Sequence, residues 1–309
     1  MRVTRGNDGR GGARSRKFRL AGGLGWAMFG LAAQAGANTS NGHNLPPGVT
    51  EISRDIYGLH MEAFWICVAI AVVVFGAMIY SLVKFRRSQG AVADTTLSHS
   101  TQVEIVWTLI PAVILVVMAI PAAKIILKME DTRNSELSIR VTGYQWKWEY
   151  QYMDAAAGID IFSTLARDSN FARQLHSGID PYTVPNYLLN VDHPLVIPSG
   201  TKVRLLLTSQ DVIHAWWVPD FGAKRSAVPG YVNELWFTVD SGKEGIYRGQ
   251  CAALCGRDHG FMPIVVDVRT PDEFKKWVDE QKAVKPAPAA AASQPADGRT
   301  ALSGQASAN

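Results

Sequence analysis

The sequence predicts a two-helix membrane hairpin followed by an all-β sandwich or barrel, and three observations carry that expectation. Two long apolar blocks occupy the first half of the 309-residue chain. Short β-branched and aromatic runs, divided by Gly, Pro and Asp, fill the second half. The change of texture falls near residue 137, which places the boundary between anchor and domain there.

The first 37 residues read as an export signal. Arg2, Arg5, Arg10, Arg14, Arg16, Lys17 and Arg19 form a basic leader, "LAGGLGWAMFGLAAQ" is a short apolar core, and small residues after it offer a cleavage site. Residues 38–136 then hold the anchor, with spans expected at about 60–84 and 104–127. "AFWICVAIAVVVFGAMIYSLV", residues 63–83, contains no charge. At about 1.5 Å rise per residue it reaches across about 30 Å of hydrocarbon. "IVWTLIPAVILVVMAIPAA", residues 105–123, is the second block, with Pro111 and Pro121 as expected kinks that membrane helices tolerate. Lys84, Arg86 and Arg87 follow the first block. By the positive-inside rule this loop is cytoplasmic, so both chain ends and the β-domain face the other side. A cell membrane is the expected location.

Residues 137–282 form the expected β-domain. "LSIRVTGYQWKWEYQY", "HPLVIPSGTKVRLLLTS", "ELWFTVD" and "MPIVVDV" alternate as half-buried strands do. "TPDEFKKWVDEQK" closes the domain as a short helix, with Thr at its cap, Pro at its first position and early acids. The Ala/Pro-rich stretch 283–309 is too poor in apolar bulk to fold and is expected to be a disordered tail. The net charge of +4 owes much to the leader, and no basic patch with interleaved aromatics points to nucleic acid. Three cysteines, one of them Cys67 inside the first apolar block, are too few for a disulfide framework.

The chemistry concentrates in "CAALCGRDHGFMP", where Cys251, Cys255, His259 and Met262 lie within one loop. Structural zinc would use thiolates and imidazole but leave the methionine idle. A Cys251–Cys255 disulfide would leave His259 and Met262 unexplained. Copper uses every member, because soft thiolate and thioether donors with imidazole select it. A mononuclear blue site needs only one thiolate. Two bridging thiolates suit two copper ions, each with its own imidazole, and His214 in "SQDVIHAWWVP" supplies the second.

These residues, with "YGLHMEAFWIC", "VEIVWTLIPAVIL", "TGYQWKWEY" and "VPGYVNE", resemble subunit II of bacterial haem–copper cytochrome c oxidases over nearly all of residues 50–270. The resemblance implies a cupredoxin-like domain carrying the binuclear copper A centre. One copper would take His214 and Met262, the other His259 and the backbone carbonyl of Ala253, with Cys251 and Cys255 bridging both. Trp146 matches the surface tryptophan where the electron enters, and Trp148 is expected inside the sandwich. Glu104 matches an acid near a proton-uptake route. The implied partners are the haem–copper subunit I, subunit III, cytochrome c as donor and the lipid bilayer. Electrons would pass to haem in subunit I, where O2 is reduced to water with proton pumping.

Two departures from the family pattern stand out. Most members place Glu where Ala253 stands and many place Asp where Ser226 stands, both close to an interfacial Mg2+ or Mn2+. A hard cation wants carboxylate oxygen, so that ion is expected to be weakened or absent. A membrane-tethered copper-binding or copper-delivery protein is the competing function. Asp211, Asp220, Glu234, Asp240 and Asp258 are acids that a basic cytochrome c could meet, diluted by Lys224, Arg225, Arg248 and Arg257.

Overall fold

In this computed structural model residues 44–92, 96 and 99–283 are described. The expected leader, and the expected tail beyond Ala283, lie outside them. Helix α1 (Glu51–Lys84) and helix α2 (Thr101–Met129) form the hairpin. Helix α1 begins at Glu51, ahead of the expected span, and the cause is its cap. The Thr50 hydroxyl accepts from the Ser53 amide at 3.0 Å, while the Ser53 hydroxyl accepts from the Thr50 amide at 3.0 Å. That reciprocal box satisfies donors that would otherwise be orphaned at a helix start. Helix α2 runs unbroken through Pro111 and Pro121. Both helices are long and apolar enough to cross a membrane, and among the described residues nothing covers their apolar spans.

The β-domain begins with β1 (Leu137–Tyr144), β2 (Lys147–Tyr152) and β3 (Asp160–Ser163). A short helix, α3 (Arg167–Ala172), precedes β4 (Leu195–Pro198) and β5 (Val203–Ser209). Next come β6 (His214–Trp217), β7 (Lys224–Ala227), β8 (Asn233–Phe237), β9 (Gly245–Gln250), β10 (Pro263–Arg269) and helix α4 (Pro271–Ala283). One sheet runs β3-β2-β1-β5-β8, a second β4-β10-β9, and β6 pairs with β7. The core between them draws Ile139, Val141, Trp148, Leu205 and Leu207 from the first sheet and Leu195, Ile264 and Val266 from the second. Apolar side chains on alternate positions leave one face per sheet to bury, which is why two sheets pack here. On β6, His214 and Trp216 are both fully buried, and the Trp216 ring lies parallel to Phe237 at 6.0 Å.

The domain is stitched to its anchor. Val49 donates to the Asp220 carbonyl at 3.0 Å, Asp240 donates to the Val49 carbonyl at 3.1 Å, and Arg54 pairs with Asp240. From α2, Lys128 pairs with Glu51 and Asp55 of α1, and its carbonyl accepts from the Trp236 indole at 3.1 Å. Arg225 of β7 grips Glu130 through two bonds of 2.8 and 2.9 Å. A two-pronged guanidinium–carboxylate pair fixes orientation as well as distance.

Candidate metal centre

Two connections at one end of the sandwich, β5 to β6 and β9 to β10, converge on a single point. His214 opens β6, Cys251 and Cys255 follow β9, and His259 and Met262 lie in the turn before β10. Because β9 and β10 pair antiparallel with Gln250 opposite Pro263, the loop between them folds back over the domain's end. The Cys251 and Cys255 sulfurs stand 3.8 Å apart, far beyond the about 2.05 Å of a disulfide. Cys251 Sγ lies 4.0 Å from His214 Nδ1 and 3.3 Å from the Ala253 carbonyl oxygen. Cys255 Sγ lies 3.5 Å from His259 Nδ1 and 3.5 Å from Met262 Sδ. Every donor expected from the sequence is therefore within 4.0 Å of one of the two sulfurs.

Four of the donor side chains are dry, while His259 is half-buried. Exposure is 0% for His214, 5% for Cys251, 3% for Cys255 and 1% for Met262. Burial pushes both thiols up. At Cys251 the His214 ring and the backbone of Ala215 and Ala253 outweigh it, bringing the thiol down to about 6. Cys255, buried and facing the charge on Cys251, is pushed up to about 12. One thiolate is thus available near neutral pH, and the second needs a cation to lose its proton. Thiolate, imidazole and thioether together are the donors that copper prefers. The buried methionine sulfur, aimed at Cys255, gives a tetrahedral zinc site nothing to do. The residues present fit copper.

The surroundings explain why these side chains stay in place. Gly143 of β1 sits opposite Trp148 of β2. A Cβ on Gly143 would come 2.7 Å from the His214 ring, so only glycine leaves room for the imidazole. Trp148 then packs edge-on against that ring at 5.8 Å and donates to the Met262 carbonyl at 3.4 Å. His214 Nε2 meets Asp211 at 2.8 Å, which directs Nδ1 toward the sulfurs. Cys251 and Asp211 overcome the effect of burial and raise the imidazole's affinity for a proton. The other Asp211 oxygen accepts from the Gln145 amide at 2.6 Å. Gln145 Nε2 and Trp146 Nε1 both donate to the Cys255 carbonyl, at 2.8 and 3.3 Å. Gly256, at φ +117°, packs against Trp146 where an L side chain would be strained.

Trp146 lies in the turn between β1 and β2, half-buried beside the cysteine loop, while Trp148 is fully buried as expected. The two do not act as alternating strand residues, because β2 begins only at Lys147. Glu104 is in the first turn of α2, beside the interhelix loop and away from the metal-binding residues. Ser226 is exposed on β7, and Ala253 offers only its carbonyl to the site. Asp211, read from the sequence as a surface acid, turns inward to His214. Gly143, Gln145 and Asp211 escaped notice as supporting residues, since their roles depend on pairings across 66 to 110 positions of sequence.

Two family models match the chain. Residues 137–269 match "Cytochrome C oxidase subunit II, periplasmic domain", and residues 38–125 match "Cytochrome C oxidase subunit II, transmembrane domain". A protein of Rickettsia bellii described as probable cytochrome c oxidase subunit 2 is 37% identical over 77% of this chain and 83% of its own length. Cytochrome c oxidase subunit 2 of Arabidopsis thaliana is 33% identical over 75% of this chain and 86% of its own. The crystal structure of the periplasmic domain of cytochrome oxidase subunit II from Bradyrhizobium japonicum is 38% identical and covers 49% of this chain and 97% of that one, with a TM-score of 0.41.

Proposed function

This chain belongs to the cytochrome c oxidase subunit II family, and from that premise we propose that it receives electrons from cytochrome c at a binuclear copper centre held by His214, Cys251, Ala253, Cys255, His259 and Met262. The observation that carries the reading is the convergence of two unbridged thiols, two imidazoles and a buried thioether. When bound, the copper pair would supply one-electron redox chemistry between the donor and haem in the catalytic subunit. Cys251, Cys255, His214, Met262, His259 and the Ala253 carbonyl would hold it, and the sandwich would keep them from moving. Rigid donors favour electron transfer because little has to rearrange. The copper-delivery alternative suits the site poorly, since a chaperone needs ligands that a partner can reach, and His214, Cys251, Cys255 and Met262 are buried.

In this reading the chain is a multi-pass protein of the bacterial inner membrane, with the copper domain on the periplasmic side. It assembles with subunit I and subunit III. Trp146 brings the donor's electron in, supported by its indole bond to the Cys255 carbonyl. Replacing Trp146 with phenylalanine is expected to lower kcat/KM for cytochrome c by at least tenfold, with copper content unchanged. Stopped-flow oxidation of reduced cytochrome c by the assembled oxidase measures it; an unchanged rate would move the route elsewhere. Glu104, at the opposite end of the hairpin, contributes to proton uptake.

The interfacial cation should differ from that of relatives. Ser226 and Ala253 supply no carboxylate, the neighbours of Ser226 on β7 are Lys224 and Arg225, and Glu130 is already taken by Arg225. A hard divalent ion gains nothing from such surroundings. Elemental analysis of the assembled oxidase, dialysed against a chelator, is expected to find well below one Mg2+ or Mn2+ per complex. A full, tightly held ion would contradict this.

A further inference from the structure

We propose that Thr50 and Gly222 are positioning residues that fix the copper domain on its hairpin, and so govern the step in which an electron leaves the copper pair for haem. The inference rests on the electron-accepting role proposed above. A domain carried on one covalent tether can turn about it. Here that tether is the short connection from Met129, the end of α2, to Leu137, the start of β1. The start of α1 supplies a second, non-covalent attachment, and two attachments together remove the rotation.

The second attachment is buried and specific. The Thr50 hydroxyl donates to the Phe221 carbonyl at 2.9 Å, 171 positions away in sequence, while it accepts from the Ser53 amide. Thr50 also pairs antiparallel with Val239, beside the bonds that Val49 makes to Asp220 and Asp240. Val49, Thr50, Ile52 and Ser53 are each at most 2% exposed, although Ile52 and Ser53 are the only buried residues of α1 among those described. Gly222, at φ +71°, lies against Ser53, and a Cβ there would come 2.7 Å from the Ser53 Cα. Only glycine lets the helix start sit this close.

The segment that receives α1 is continuous with the strands that carry the metal donors. The turn Pro219–Phe221 follows β6, which opens with His214. Phe221, fully buried, packs on Phe237 at 4.7 Å and on Tyr247 at 5.3 Å. Phe237 lies parallel to Trp216 of β6, and Tyr247 belongs to β9, which ends just before Cys251. The Ala252 amide donates to the Ala215 carbonyl at 2.9 Å and closes the circuit between the cysteine loop and β6. Close-packed interiors transmit a displacement rather than absorb it. A shift of α1 against Phe221 therefore moves the copper end of the domain relative to the membrane, where the haem subunit lies. Trp146, in the β1–β2 turn, is outside this set of contacts. Electron arrival thus depends on the surface around Trp146, and electron departure on where the domain stands. In the departing step one electron passes from the reduced copper pair to oxidised haem, and no bond forms or breaks.

The test uses the assembled oxidase with Thr50→Val, which keeps the side chain's size and leaves the Phe221 carbonyl and the Ser53 amide without partners. Hydrogen exchange, read by mass spectrometry over residues 48–54 and 219–222, is expected to accelerate. Copper content and the second-order rate of cytochrome c oxidation should match wild type. The first-order rate from copper to haem, followed after a flash with a small ruthenium photoreductant, should fall on the order of tenfold, because small misplacements cost large factors in rate. Thr50→Ser, which retains the hydroxyl, should restore both exchange and rate, and Gly222→Ala should reproduce the loss. Faster exchange with an unchanged copper-to-haem rate overturns the proposal. So does unchanged exchange in both Thr50→Val and Gly222→Ala, or a loss of copper or of cytochrome c oxidation in proportion to the slower transfer. Failure of the electron-accepting role would look different: in the wild-type oxidase itself the flash-delivered electron would never pass through copper to haem.

Discussion

Replacing Cys255 with serine is expected to remove copper from the domain and to lower cytochrome c-driven O2 uptake by more than a hundredfold. The Cys255 sulfur is the hub of the site, at 3.8 Å from Cys251 and 3.5 Å from each of His259 Nδ1 and Met262 Sδ. Serine keeps the size but substitutes a hard, protonated oxygen for the soft thiolate that copper selects. Loss of an outer partner of a metal ligand alone costs about 10–100-fold, so loss of a bridging ligand should exceed that. The protein should still fold. The Cys255 side chain sits at the core's edge, and the Gln145 and Trp146 bonds run to its backbone carbonyl, which serine retains. Metal analysis of the full chain and O2-electrode assays of the assembled oxidase check it together. Near-normal copper in the variant would mean that the second thiolate is not a ligand.

Trp148→Ala should instead act on stability, with a cost of about 3–5 kcal/mol for emptying a fully buried indole site. For a domain of this size each kcal/mol lowers Tm by about 2–4 °C, so a drop of roughly 6–20 °C is expected in calorimetry. The loss falls on the metal-binding residues as well, because Trp148 packs on the His214 ring and bonds the Met262 carbonyl. Copper affinity should weaken in parallel. A Tm within a few degrees of wild type would show that the cavity collapses and that neighbouring side chains hold His214 without the indole.

The sequence made some parts of this molecule legible and hid others, for identifiable reasons. Spans and strands could be read because their apolar patterns are long and local. The candidate donors of the last loop could be read because Cys251, Cys255, His259 and Met262 lie within one short segment, and chemistry alone narrows what such a set can hold. The helical turns ahead of the first span were not legible, because residues 51–59 mix Glu51, Arg54 and Asp55 with Ile52 and Ile56 and carry no membrane signal. Their helix comes from the Thr50–Ser53 box and from the junction with Asp240. Asp211 looked like a surface acid three residues before a histidine. Only the fold of β6 against the β1–β2 turn shows that it joins His214 to Gln145. Gly143 carries no side chain to notice, yet the imidazole occupies the space it leaves. The setting of Asp258 was hidden in the same way, since its contact with Arg173 comes from the end of α3, far away in sequence.

The central claim is that this chain holds a pair of copper ions between Cys251 and Cys255. Copper quantitation on the purified full-length chain, reconstituted in detergent and freed of loosely bound metal, tests it most directly. Two copper ions per polypeptide, with an EPR hyperfine pattern from one electron shared by two copper nuclei, is the expected result. One copper per polypeptide with a single-nucleus pattern, or stoichiometric zinc in its place, would contradict it.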